Sequence, residues 1–215
     1  MANLTPPIYR ALLIAALLFG AAVHPQQSVL AKSKNNFCTT CPVAGVNSQK
    51  TTSLGSAKMG GPCQTGRASN GYPLPDPKCT PGAYNPTATA AIFGNKKFTT
   101  KCLRDCLTDG ARKKTIYKAY GVTPNPSCEF DHLVPLEMGG ADSLDNIWPQ
   151  CGRAPNGKNY KEIKDQVESY LAIKILQGMD IESARKGVAS DWTQYIAAAQ
   201  TFCAASGCDI DKYRK

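Results

Sequence analysis

The chain has 215 residues, 42% of them hydrophobic, with a formal net charge of +9 and a pI near 9.0. That length admits one globular domain with a core, or one domain and a small lobe, and excludes a large multidomain assembly. The basic excess favours anionic partners such as nucleic acid, anionic lipid or a cell-wall polymer.

Residues 1–31 read as a secretion signal. Arg10 is the only charge before Lys32, and an apolar run follows it from Ala11 to Val23. The run is shorter than a membrane span of about 20 residues and suits the apolar core of a signal. Val29-Leu30-Ala31 offers one small-residue cleavage site and Ala22 another; an uncleaved anchor is the alternative. Cleavage after Ala31 removes one arginine and no acid, so the charge falls from +9 to +8 over the 184 residues left of 215. No later segment is apolar enough to span a membrane. The expectation is a secreted or periplasmic monomer.

Residues 32–90 are rich in Gly, Ser, Thr, Pro, Asn and Cys and sustain no hydrophobic period. They are expected to form an irregular, disulfide-held lobe, separate from a domain over 91–215. All ten cysteines (38, 41, 63, 79, 102, 106, 128, 151, 203 and 208) follow the expected cleavage site. An even number behind an export signal points to five disulfides. Zinc is the competitor, through Cys38-x2-Cys41 and Cys102-x3-Cys106, but no histidine is at hand.

Ile92, Phe93 and Phe98 suggest short extended pieces. Ala111–Tyr120 reads as a helix ended by Gly121, with Arg112, Lys113, Lys114 and Lys118 on one exposed face. Pro124 and Pro126 mark a loop. Glu129–Pro135 and Asp145–Gln150 read as two strands joined at Gly139-Gly140. Cys128 and Cys151 each lie eleven residues from the nearer of these glycines. Antiparallel pairing would set them opposite each other, which predicts a Cys128–Cys151 disulfide at the base of a hairpin over 128–151. A long helix follows over about 158–177, with Tyr160, Ile163, Val167, Leu171 and Ile175 at helical spacing and Gly178 closing it. Shorter helices are expected at 181–188, capped by Asp180, and at 191–203, capped by Ser190. The fold class is α+β.

Only two histidines occur, His24 inside the expected signal and His132. An unperturbed imidazole suits proton transfer near neutral pH, so His132 is the candidate general base. Asp131 precedes it directly. In a regular strand, adjacent side chains point to opposite faces, so the two would not project together. Arg153, Lys158 and Lys114, with Lys113, Lys161 and Lys164, flank the hairpin and could hold a phosphate backbone. Trp148 and Trp192 read as core rather than as base-stacking platforms.

The pattern Asp131-His132-x2-Pro135-Leu136-x2-Gly139-Gly140-x5-Asn146 resembles the HNH (ββα-metal) nuclease motif. A wider likeness to small secreted bacterial HNH-type proteins covers roughly residues 75–200. It includes the stretch from Pro75 to Pro86, Asn146-Ile-Trp-Pro-Gln150, Lys164-Asp165-x2-Glu168 and Asp191-Trp192. The resemblance implies a ββα-metal core with C-terminal helices. It implies a metal-dependent endonuclease acting on DNA, and on RNA as an open alternative, with little sequence preference. It further implies that Asp131 holds Mg²⁺ or Mn²⁺, that His132 activates water, and that Asn146 braces the loop. The third member is Asn156 or Asn159, either of which also suits a helix cap; Glu168 is a more distant candidate. The rival reading is a non-catalytic secreted module that binds DNA or another polyanion through its basic face.

Overall fold

The computed structural model describes residues 41–58, 61–104 and 109–215. The expected signal and its cleavage sites, Cys38 and Cys106 lie outside the described residues. All described residues belong to one compact unit within 33–215. The architecture is mixed α+β, with three two-stranded antiparallel ribbons, several helices and disulfides.

The Gly/Pro-rich segment supplies four two-residue strands. β1 (Thr52–Ser53) pairs with β4 (Ala83–Tyr84), and β2 (Gly66–Arg67) pairs with β3 (Pro73–Leu74). Turn formers leave little room for longer ladders. Disulfides Cys41–Cys102 and Cys63–Cys79 hold the segment. Its Val43, Cys63 and Cys79 share one apolar core with Trp148, Ile163 and Trp192.

Where extended pieces were expected at Ile92 and Phe93, the chain forms a helical turn, α1 (Ala90–Phe93). Thr89 caps it by accepting from the Ile92 N–H at 3.4 Å, a local hydrogen bond that outweighs the β preference of the apolar pair. α2 (Asp109–Ala119) follows the expected course. Its basic face is not as expected: Arg112 is turned inward, 7% exposed, while Lys113, Lys114 and Lys118 face solvent.

The hairpin is built of β5 (Cys128–His132) and β6 (Ile147–Cys151). Its register pairs Cys128 with Cys151 and His132 with Ile147, and the Cys128–Cys151 disulfide closes its base. The strands are shifted and the connection is longer than expected: the first strand ends at His132 rather than Pro135, and the second starts at Ile147 rather than Asp145. The connection runs from Leu133 to Asn146 through two 3₁₀ turns, Leu136–Met138 and Leu144–Asn146. Both glycines are required there. Gly139 has φ +77°, and a Cβ on Gly140 would collide with the Val134 carbonyl.

α3 (Tyr160–Leu176) buries Ile163, Val167, Leu171 and Ile175 on one stripe, as their spacing predicts. α4 (Ile181–Asp191) starts at Asp180, which accepts from the Ser183 N–H at 2.7 Å. Ser190 is not a cap: it lies inside α4, and Asp191 takes that role by accepting from the Thr193 N–H at 2.9 Å. A 3₁₀ turn leads into α5 (Ile196–Ser206), which the Cys203–Cys208 disulfide ties to the tail. Among the described residues no helix is long and apolar enough to cross a membrane.

Candidate active site

β5 runs regularly through Asp131 and His132, so the two side chains leave on opposite faces. The His132 face looks toward α2. His132 is 7% exposed, and its Nε2 lies 2.9 Å from Asp142 Oδ1. Asp142 is 9% exposed and comes back to the strand end because the Gly139-Gly140 turn folds the connection over. Arg112 grips Asp142 from α2, with Nη2 2.8 Å from Oδ2 and Nη1 on the backbone carbonyl. A carboxylate accepts, so the dyad places the proton on Nε2 and leaves Nδ1 with a lone pair. The resulting order is guanidinium, carboxylate, imidazole, the arrangement that fixes the ring of a general base.

Beside this dyad is a cleft of about 380 Å³ lined by Arg104, Lys113, Cys128, Glu129, Phe130, Asp142 and Lys161. Phe130 is the aromatic residue of this lining; it meets Tyr117 at 6.1 Å between ring centres, and Lys113 Nζ stands 5.6 Å from its ring centre.

The Asp131 face looks toward α3. Lys164, expected as a surface cation, is fully buried, because the helical stripe that carries Ile163 and Val167 turns it inward too. Its Nζ donates to the His132 carbonyl at 2.7 Å and to Glu168 Oε1 at 2.5 Å, and makes an ion pair with Asp131 Oδ2 at 3.0 Å. Burial alone would lower the lysine pKa; Asp131 and Glu168 outweigh it and raise it. Burial, opposed by Lys164, lifts the Glu168 carboxyl well above the usual range. Nearby, Lys161 pairs with Glu129 at 3.2 Å.

Asn146 is fully buried with both halves of its amide used twice. Its Oδ1 accepts from Ala83 N (3.1 Å) and Val134 N (2.9 Å). Its Nδ2 donates to Val134 O (2.9 Å) and Ala141 O (2.8 Å). It thus ties β4 to both ends of the hairpin connection. Trp148 is fully buried in the core.

The residues expected at a metal are engaged separately. Asp131 meets Lys164, and exposed Asn156 accepts from the Lys158 N–H at 3.1 Å. Asn159 donates from Nδ2 to Glu162 at 3.1 Å, leaving its buried Oδ1 without a hydrogen-bond partner. With an ammonium already on Asp131, this donor set as arranged does not fit a divalent cation. Among the described residues no group of three His, Cys, Asp or Glu side chains is placed to hold a metal.

The expected nucleic-acid trio is not brought together at the cleft either. Lys114 is exposed on α2, Arg153 donates to the Gly157 carbonyl at 3.0 Å, and Lys158 lines a separate hollow with Gln166 and Gln200. Arg104, Lys113 and Lys161 line the cleft instead. Asp142 and Arg104 were not anticipated. The signal for Asp142 was an acid directly after Gly-Gly-Ala, where the chain reverses toward the only histidine in the region.

No family model matches the chain, and no curated protein or solved structure does.

Proposed function

We propose that this chain is a phosphodiester hydrolase of the HNH (ββα-metal) type, an exported endonuclease acting on DNA or RNA with His132 as general base. The observation that carries the reading is the Arg112–Asp142–His132 chain of contacts beside a cleft whose lining holds three cations, Arg104, Lys113 and Lys161, against two acids, Glu129 and Asp142. The strand, strand, helix order of β5, β6 and α3 around the Asp-His pair supports the fold assignment, and the fully bonded Asn146 suits a brace.

In this reading His132 Nδ1 takes the proton of the attacking water as the water oxygen bonds to phosphorus and the P–O bond to the leaving sugar oxygen breaks, that oxygen taking its proton from solvent. Asp142 holds the ring and stabilises the imidazolium that forms. The cleft cations draw in the phosphate backbone without reading sequence. The proton and the incoming charge are thus handled by the chain's own groups.

The test is plasmid cleavage by the purified, oxidised chain in Mg²⁺, Mn²⁺ or EDTA, beside His132→Ala. The variant should stay folded and lose about 10²-fold or more of the activity, the scale of a lost general base. Cleavage at the wild-type rate in His132→Ala would overturn the assignment. The separate engagement of Asp131, Asn156 and Asn159 favours a second reading, a non-catalytic module that binds a polyanion. DNA retention without cleavage, equal in wild type and His132→Ala, would select it.

A further inference from the structure

The Lys164 ammonium donates to the His132 carbonyl (2.7 Å) and to Glu168 Oε1 (2.5 Å), and it lies 3.0 Å from Asp131 Oδ2, an ion pair without hydrogen-bond geometry. One carbonyl and two carboxylates are also what a hard divalent cation would select. The groups around them are mostly acidic as well. Asp165 stands next on α3 and is influenced by Glu129 and Asp131, and Glu137 from the hairpin connection acts on Glu168. The cluster thus calls for a cation, and α3 delivers one covalently.

We propose that the Lys164 ammonium is the resident cation of this oxygen cluster. It fills the place a metal ion would need at Asp131, and it fixes the strand end that carries His132. Asp131 is then the counterion of Lys164 and not a metal ligand. Any divalent ion the reaction requires binds elsewhere. Lys164 is a positioning residue, acting through the His132 carbonyl. The positioning half rests on the hydrolase reading; the cation half does not, and it is measured without substrate.

The experiment is Mn²⁺ binding followed by electron paramagnetic resonance on the full oxidised chain, in wild type, Asp131→Asn, Lys164→Met and the double variant Asp131→Asn/Lys164→Met. Wild type and Asp131→Asn should bind Mn²⁺ identically. Lys164→Met should gain a site that the double variant lacks. If hydrolysis is present, Lys164→Met should lower kcat on the order of tenfold or more at unchanged KM. Millimolar Mn²⁺ should restore that loss in Lys164→Met and not in the double variant, an outcome that a merely structural lysine would not give. Wild-type Mn²⁺ affinity that falls tenfold or more in Asp131→Asn overturns the proposal, and so does a Lys164→Met variant that folds and gains no site. If Lys164→Met does not fold, wild type against Asp131→Asn still decides. A chain without nuclease activity that shows the new site would sink the hydrolase reading and leave the cation assignment standing.

Discussion

The two faces of β5 handle buried charge in opposite ways. Toward α2, Arg112 holds Asp142, and Asp142 holds Nε2 of His132, so that Nδ1 stands outside the series. Toward α3, Lys164 is enclosed by Asp131, Glu168 and the His132 carbonyl, with hydrogen bonds to the last two and an ion pair to Asp131. The first series has an open end; the second is closed on itself. A buried ion pair is weak evidence for stability, because desolvation offsets much of the attraction. The contrast therefore says more about what each face is for than about how firmly it holds. In the proposed reading, the α2 face presents the base and the α3 face sets its backbone.

The brace between these faces is the largest target. Asn146→Ala would strip partners from Ala83 N, Val134 N, Val134 O and Ala141 O in a site that water does not reach. At about 1 kcal/mol for each bond the loss is about 4 kcal/mol. Urea unfolding should read it as a lower midpoint at unchanged slope. A loss under about 1 kcal/mol would mean that the connection folds back without the amide.

The hairpin base comes next. Replacing Cys128 and Cys151 together by alanine frees a sequence separation of 23 residues and should cost about 3 kcal/mol. Both faces should weaken together, since β5 serves both. If activity is lost while thermal stability is unchanged, the disulfide serves the cleft, where Cys128 lies, rather than the fold.

The open end of the α2 series is tested by removing its charges as a pair. Arg112→Met with Asp142→Asn removes both charges of this buried pair rather than stranding one of them, so the fold should hold. The proposed hydrolysis should fall on the order of 10²-fold in kcat, as for a base that has lost its orienting carboxylate. Unchanged kcat would detach Asp142 from the chemistry.

Parts of this arrangement are legible in the sequence for identifiable reasons. The hairpin register follows from two cysteines placed symmetrically about a glycine pair. α3 follows from Ile163, Val167 and Leu171, whose spacing has a single helical solution. The long-range charge partners are not legible. Arg112 sits in ARKKTIYKA, where cations lie on every side of the helix and none marks the buried face. Lys164 adjoins Ile163, and polarity alone assigns it to solvent; its burial follows only once Asp131 and Glu168 are seen around it. Asp142 reaches His132 through a 14-residue connection whose path depends on Gly139, Gly140 and the Asn146 brace. Ile92 and Phe93 mislead because one threonine cap decides between strand and helix.

The smallest expected effect probes the acidic surplus of the α3 face. Asp165 is exposed, but partial burial first, and then Glu129 and Asp131, raise its pKa to about 6, against Lys164 and Lys161, which lower it. The unfolded carboxyl titrates near pH 4, so the folded chain binds this proton more tightly. Stability from this group is therefore present below about pH 4 and is lost as pH rises through about 6. Asp165→Asn should match wild type in melting temperature at pH 4 and exceed it at pH 7. With solvent screening of an exposed side chain the gain is at most about 1 kcal/mol. A difference of the opposite sign, or one that does not change between pH 4 and 7, would mean that Lys161 and Lys164 already balance the acids, and the two faces of β5 would then differ in geometry alone.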